Sequence, residues 1–303
     1  MRTVKALTKR NIKIFFKDKP TFFTSLATPM ILLVLYATFL AKGYREIFMS
    51  SIPEGACVSS SVIDGLVGGQ LLSSLLSVSC VTVAFCSNLI MVSDRAKGTV
   101  RDFLASPVKS YQLSVSYFLA TLASTLTVAF CAMAIGLVYL GFVGFYMSLA
   151  DVLLLALDVV VLVLFGTALS SVVTHFLSKE GQMSAVGSIV SSVYGFVSGA
   201  YMPISTYGEG LSTALGFFPG TYGTVLMRGH AMRGTFEKLE ECMPSEAVDE
   251  LRLGVDAKFS LLGSPVPEWA MYLVLFGAVA LFVTLYVFMN IRKRDLSLTD
   301  KSR

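Results

Sequence analysis

An all-α integral membrane fold with six transmembrane helices is predicted by three observations. Six long apolar stretches carry no Lys or Arg, the basic residues between them lie mostly on one side, and the chain is too apolar for a soluble surface. The stretches run Phe22–Leu40, Leu66–Val92, Gln112–Gly141, Val152–Thr174, Met183–Pro203 and Trp269–Asn290. A helix rising ~1.5 Å per residue needs ~20 residues to cross a ~30 Å hydrocarbon core, and each stretch approaches or exceeds that. Six crossings put both ends of the chain on one side. Seventeen of the twenty-four Lys and Arg residues then fall in the segments on that side (1–20, 93–111, 175–182 and 291–303). Lys and Arg are retained on the cytoplasmic face, so both termini are expected in the cytoplasm of a multi-pass cell-membrane protein. The mean hydropathy of +0.72, with 54% hydrophobic residues over 303, excludes an ordinary soluble domain. The net charge of +4 is no nucleic-acid signature, because its positive groups line a membrane surface that attracts them.

Residues 1–20 are expected to form an amphipathic helix lying at the cytoplasmic interface. Lys5, Lys9, Lys13 and Lys17 recur every fourth residue, and Val4, Leu7, Ile14 and Phe15 fall opposite them. Pro20 is expected to end this helix before the first span, which is too long and too late in the chain for a cleaved signal. The plainer alternative is an unstructured basic lead that only enforces topology.

Between spans two and three, residues 93–111 contain the densest pattern. Gly98 permits a turn, Thr99 is placed to cap a helix over Val100–Ala105, and Asp102 stands where it can complete a capping box. Pro107 stops the helix. A short charged helix at the membrane surface offers a docking face. Span four carries Asp158, seven residues from Asp151, or ~10 Å along the axis. An intramembrane Asp is costly and faces water, a cavity or a partner. Asp158 therefore either lines a pathway or is answered by a hydroxyl such as that of Ser124 or Thr127. The hydroxyls at Ser73, Ser74, Ser77, Ser79, Thr82, Thr121 and Thr125 either line a polar path or bond the carbonyl one turn back.

Span five presents Gly187, Ser191, Gly195 and Gly199 at four-residue spacing, a stripe that admits another helix at close range. That helix is either one of a second protomer or another span of the same chain. The segment 205–268, with nine carboxylates and five basic residues, is expected outside the membrane as a folded extracytoplasmic part. Cys57 and Cys242 both fall in outside segments, where an oxidising exterior permits a disulfide between them. No Cys/His metal spacing occurs, and His175 and His230 are assigned to opposite sides. No enzyme constellation is present, and no G-x-x-x-x-G-K-[ST] phosphate loop exists to cradle ATP.

These residues bear a family resemblance. Asp94, Arg95, Gly98, Thr99, Leu104 and Pro107 resemble the coupling-helix segment of the type-2 ATP-binding-cassette exporter permeases. Ser198–Pro203, Pro219–Tyr222 and Met227–Gly229 resemble that family's short external helices before the last span. The resemblance covers essentially the whole chain as a single transmembrane permease domain, 1–303. Two departures stand out: Ala96 replaces a common Glu, and a second Pro common near Tyr207 is missing. The resemblance implies an exporter permease of unidentified substrate (drug, peptide, lipid, polysaccharide or ion), driven by a separate ATPase subunit that binds ATP and Mg. It implies coupling through Asp94, Arg95, Lys97, Gly98, Thr99, Arg101, Asp102, Leu104 and Pro107. It also implies a homodimer or heterodimer of permeases meeting through spans one and five. Two rivals remain: an ion-coupled secondary transporter using Asp158, which would show inverted repeats, and a non-transporting membrane assembly factor.

Overall fold

The computed structural model of the chain describes residues 1–35, 38, 40–50, 52 and 58–299. The described part is helices joined by turns and loops, with one two-stranded hairpin. In order come α1 (Arg2–Lys17), α2 (Lys19–Leu35), α3 (Ala41–Ser50), α4 (Ser60–Ala96), α5 (Thr99–Ala105), α6 (Ser110–Val143), α7 (Leu149–His175) and α8 (Glu180–Val197). A 3-10 turn (Ile204–Thr206) follows, then α9 (Glu209–Gly216), α10 (Pro219–Glu240) and α11 (Ser245–Gly254). The hairpin β1 (Ser260–Leu261)–β2 (Ser264–Pro265) precedes the last helix, α12 (Glu268–Thr299).

Among the described residues, four helices are long and apolar enough to cross a membrane: α4, α6, α7 and residues Glu268–Asn290 of α12. The other two predicted spans are not among these four. The first coincides with α2, described as far as Leu35, and the fifth with α8, which ends at Val197 before the chain turns at Ser198–Tyr201. Pro20 opens α2 from its second position instead of acting as a spacer. The missing N–H of Pro costs nothing in a first turn, so the break falls at Asp18.

The organising helix is α4. Its 37 residues extend roughly 55 Å, and most of its sides are covered by α6, α7, α10, α2 and α8. This explains why its small polar residues are needed. Ser79 and Thr82 bond carbonyls one turn back, and Ser73 bonds the Gln70 carbonyl, while Thr127 does the same in α6. Others bridge helices. Ser77 meets Thr224 at 2.5 Å, and Asn88 donates to Ser170 on α7 while accepting from Thr121 on α6.

The placement of α10 adds most to the sequence reading of 205–268. Residues Gly220–Arg228 are buried without interruption among α4, α7 and α12. Thr224 contacts Ser77 near the midpoint of α4, whereas Gly234 abuts the Tyr146 carbonyl in the α6–α7 turn. The helix therefore runs from the middle of the bundle to the end remote from α5. Its glycines permit this. A methyl group at Gly223 would press on Leu162, and one at Gly234 would overlap the Tyr146 backbone oxygen. Gly234→Ala is accordingly expected to cost about 1–3 kcal/mol, because backbone cannot rotate away as a side chain does. Gly187→Ala, with nothing within 4 Å of the added carbon, is expected to stay within about 0.5 kcal/mol. Thermal unfolding of the two variants in nanodiscs checks the contrast, and equal losses would contradict it.

Candidate functional site

The predicted docking loop sits where six helices meet. The turn out of α4 is made by Gly98 at φ +80°, and α5 starts at Thr99. This corrects the expected cap. Thr99 is the first helical residue, Gly98 occupies the cap position, and no side-chain cap bond forms. Asp102 stays exposed in the first turn, where its charge favours the helix N-terminus without closing a capping box. Pro107 lies beyond the Ser106 cap, as a helix stop should. The side chain of Leu104 lies outside the described residues.

Beneath α5 the loop is fastened on three sides. Asp94, almost fully buried, takes both terminal nitrogens of Arg10 on α1 and the Tyr117 hydroxyl of α6 at 2.6 Å. The hydrogen bond to Asp94 holds the Arg10 guanidinium above its usual range, against the opposing effect of partial burial. Arg10 also stacks over the Phe103 ring of α5, 5.3 Å from its centroid. Arg95 donates to the carbonyls of Thr174, His175 and Leu177 at and just past the end of α7, where helix carbonyls lack the next turn's donors. Lys97 lies 3.5 Å from Glu180 at the start of α8. The Glu180 carboxyl is held below its usual range, first by the Ser93 hydroxyl and then by Lys97. An apolar patch of Leu7, Met91, Leu113 and Tyr117 completes the seat, with Val100, Phe103 and Val108 packed on it.

The far face of α5 is open. Arg101, Asp102, Ala105, Ser106 and Pro107 are exposed, as is Lys97. The helix is thus fastened below and presents a charged face to solvent above. Sequence reasoning found the loop but not its anchors Arg10, Tyr117 and Glu180. The only signal for Arg10 was its place off the lysine stripe of α1. In α1 itself, Lys5, Lys9, Lys13 and Lys17 are exposed, while Leu7 and Phe15 are buried against the bundle.

The other predicted residues are distributed elsewhere. Asp158 is buried and bonds His230 on α10 and Tyr272 on α12, not Ser124 or Thr127. Its partners thus come from segments that the sequence assigned to the outside loop and the last span. The small-residue stripe divides in two. Gly195 is packed under the Tyr201 ring, and Gly199, at φ +73°, gives its carbonyl to Arg228. Ser191 accepts the Tyr201 hydroxyl through its own carbonyl, and only Gly187 faces open space. Cys242 is exposed beyond α10, whereas Cys57 lies outside the described residues.

Long apolar helices with a short surface helix seated at one end of their bundle point to a multi-pass membrane protein. The chain belongs to the ABC-2 type transporter family, whose model matches residues 2–231. Among curated proteins none matches it.

Proposed function

We propose that this chain is the permease subunit of an exporter powered by a separate ATP-binding-cassette subunit that docks on α5. The observation that carries the reading is the pairing of an open α5 face with a seat that grips α1, α4, α6, α7 and α8. In this reading α2, α4, α6, α7, α8 and α12 make six crossings, both termini are cytoplasmic, and α10 dips in from the outer face. ATP and Mg belong to the partner, and the permease performs no hydrolysis.

A second permease protomer, identical or different, packs against the side formed by α2, α3 and α8. That side carries an apolar groove of about 790 Å³, lined by residues including Ile31, Leu35, Ile47, Phe196 and Met202. Nucleotide-driven movement of the ATPase shifts α5. Arg10–Asp94–Tyr117 and Arg95 transmit the shift to α1, α6 and the α7–α8 turn. Such a shift requires the ATPase to bind α5 differently in its two nucleotide states.

Gly98→Pro supplies the test, since proline cannot adopt φ +80°. A mild-detergent pull-down from native membranes is expected to recover an ATPase subunit with wild type and to lose it with Gly98→Pro or with deletion of residues 100–105. Membrane insertion should persist in both variants. Recovery of the chain alone from gently solubilised membranes would overturn the reading. The ion-coupled alternative draws on the buried Asp158–His230 pair. It predicts that Asp158→Asn abolishes transport in membranes that lack any ATPase partner.

A further inference from the structure

We propose that the Asp158–His230 pair is a proton-binding site reached through Glu268, and that loading it fastens α10 to α12. Three helices contribute six polar groups in pairs to one cluster. Asp151 and Asp158 lie two turns apart on α7, His230 and Arg233 one turn apart on α10, and Glu268 and Tyr272 one turn apart on α12. The spacings place each pair on one face, and the three faces converge. His230 Nδ1 lies 2.6 Å from Asp158, whose other oxygen accepts the Tyr272 hydroxyl. Arg233 lies 3.3 Å from both Asp151 and Glu268. From α4 the cluster is approached by Cys80, a fully buried thiol directed at the Val159 carbonyl.

Charge and geometry then agree on a missing proton. With the imidazole neutral, three carboxylates (Asp151, Asp158, Glu268) share one guanidinium, Arg233. The ring is 1% exposed, and its Nε2 makes no hydrogen bond, although a Glu268 oxygen lies 3.8 Å away. A buried polar nitrogen without a partner is costly. Adding one proton to Nε2 creates an N–H that Glu268 accepts after a movement of about 1 Å to ordinary hydrogen-bond length. The imidazolium then donates to a carboxylate from each nitrogen, and the cluster's net negative charge drops from two to one. Buried charge is tolerated when it is paired and hydrogen-bonded in this way. The side chain of Glu268 is 62% exposed, so it takes a proton from water and passes it to Nε2, returning to the carboxylate. Because His230 sits on α10 and Glu268 on α12, the new bond ties the dipping helix to the last one. Which compartment supplies the proton rests on the topology proposed above; the site itself does not.

The chain has two histidines, so His175→Gln leaves His230 as the sole imidazole signal. Histidine-labelled protein, purified through a histidine-free tag and held in nanodiscs, is read by NMR from pH 8.5 to 5. The His230 resonances are expected to move with pH as Nε2 takes up its proton, and to respond differently in Glu268→Gln. Thermal unfolding gives a second readout. The wild-type melting temperature should rise by about 2–4 °C from pH 8 to pH 5.5, with the rise lost in His230→Gln and in the surface-exposed variant Glu268→Gln. Unchanging His230 resonances, or the same pH profile of melting in wild type and Glu268→Gln, would overturn the proposal. Neither result bears on recovery of the ATPase, so this site and the exporter reading stand or fall separately.

Discussion

Arg228→Ala is expected to be the most destabilising substitution in the chain, lowering stability by about 3–5 kcal/mol, the range for removing one partner of a buried ion pair. Arg228 has no solvent exposure. Its terminal nitrogens donate to the Val255 and Gly199 carbonyls at 2.8 Å each, and Asp256 lies 3.7 Å away. Asp256 in turn accepts the backbone N–H groups of Ile204 and Ser205. One side chain thus gathers the turn after α8, the 3-10 turn and the end of α11 around α10. Without it, two carbonyls and a carboxylate are left in the interior.

The sign of the pH effect follows. Burial already raises the Asp256 carboxyl above its ordinary range, and Arg228 opposes that rise. Removing Arg228 removes the opposition, so the folded variant holds a proton on Asp256 to higher pH than the unfolded chain does. A carboxyl raised in this way is least harmful at acidic pH and costs stability as pH climbs through its folded value. Arg228→Ala should therefore melt at a lower temperature than wild type at every pH, with a wider gap at pH 8 than at pH 5. Adding Asp256→Asn should recover part of the loss at pH 8. A gap independent of pH, with no recovery in the double variant, would show that the pairing contributes nothing.

The second large effect is functional and concerns Asp94. Asp94→Ala leaves Arg10 and Tyr117 without their shared acceptor and frees α1 from the α4–α5 turn. The exposed face of α5 is untouched, so the ATPase subunit should still be recovered with this variant. Transmission should suffer instead. ATP hydrolysis by the reconstituted assembly is expected to fall about tenfold, the equivalent of about 1.4 kcal/mol. Asp94→Asn, which keeps one acceptor for Tyr117, should fall less. Loss of the ATPase subunit with Asp94→Ala would mean that the node only shapes the docking face. Unchanged hydrolysis would remove it from the transmission path.

Most of the architecture could be read along the chain, and the reasons are local. Apolar runs near Leu66–Val92, Gln112–Gly141, Val152–Thr174 and Trp269–Asn290 became the four long helices, because hydrocarbon length is counted residue by residue. The short helix before Pro107 was legible from Gly98 and Pro107, two residues whose backbone limits act locally. Its cap was misjudged by one position. Gly98 at positive φ ends α4 and begins α5 in the same turn, leaving Thr99 inside the helix.

The buried polar groups were legible only as oddities. Asp158 stood out as costly, but its partners are 72 and 114 residues away, at His230 and Tyr272. Arg10 is 84 residues from Asp94, and nothing in the spacing of either pointed to the other. The sequence by itself determined the helical membrane class, the main apolar helices and the position of the short helix α5, since each depends on length, apolarity or backbone freedom within one segment. Only the tertiary structure decided that α10 lies within the bundle. Hydropathy counts Arg228, His230 and Arg233 as surface residues, and it cannot register that Asp256, Asp158, Asp151 and Glu268 arrive from elsewhere to pair with them.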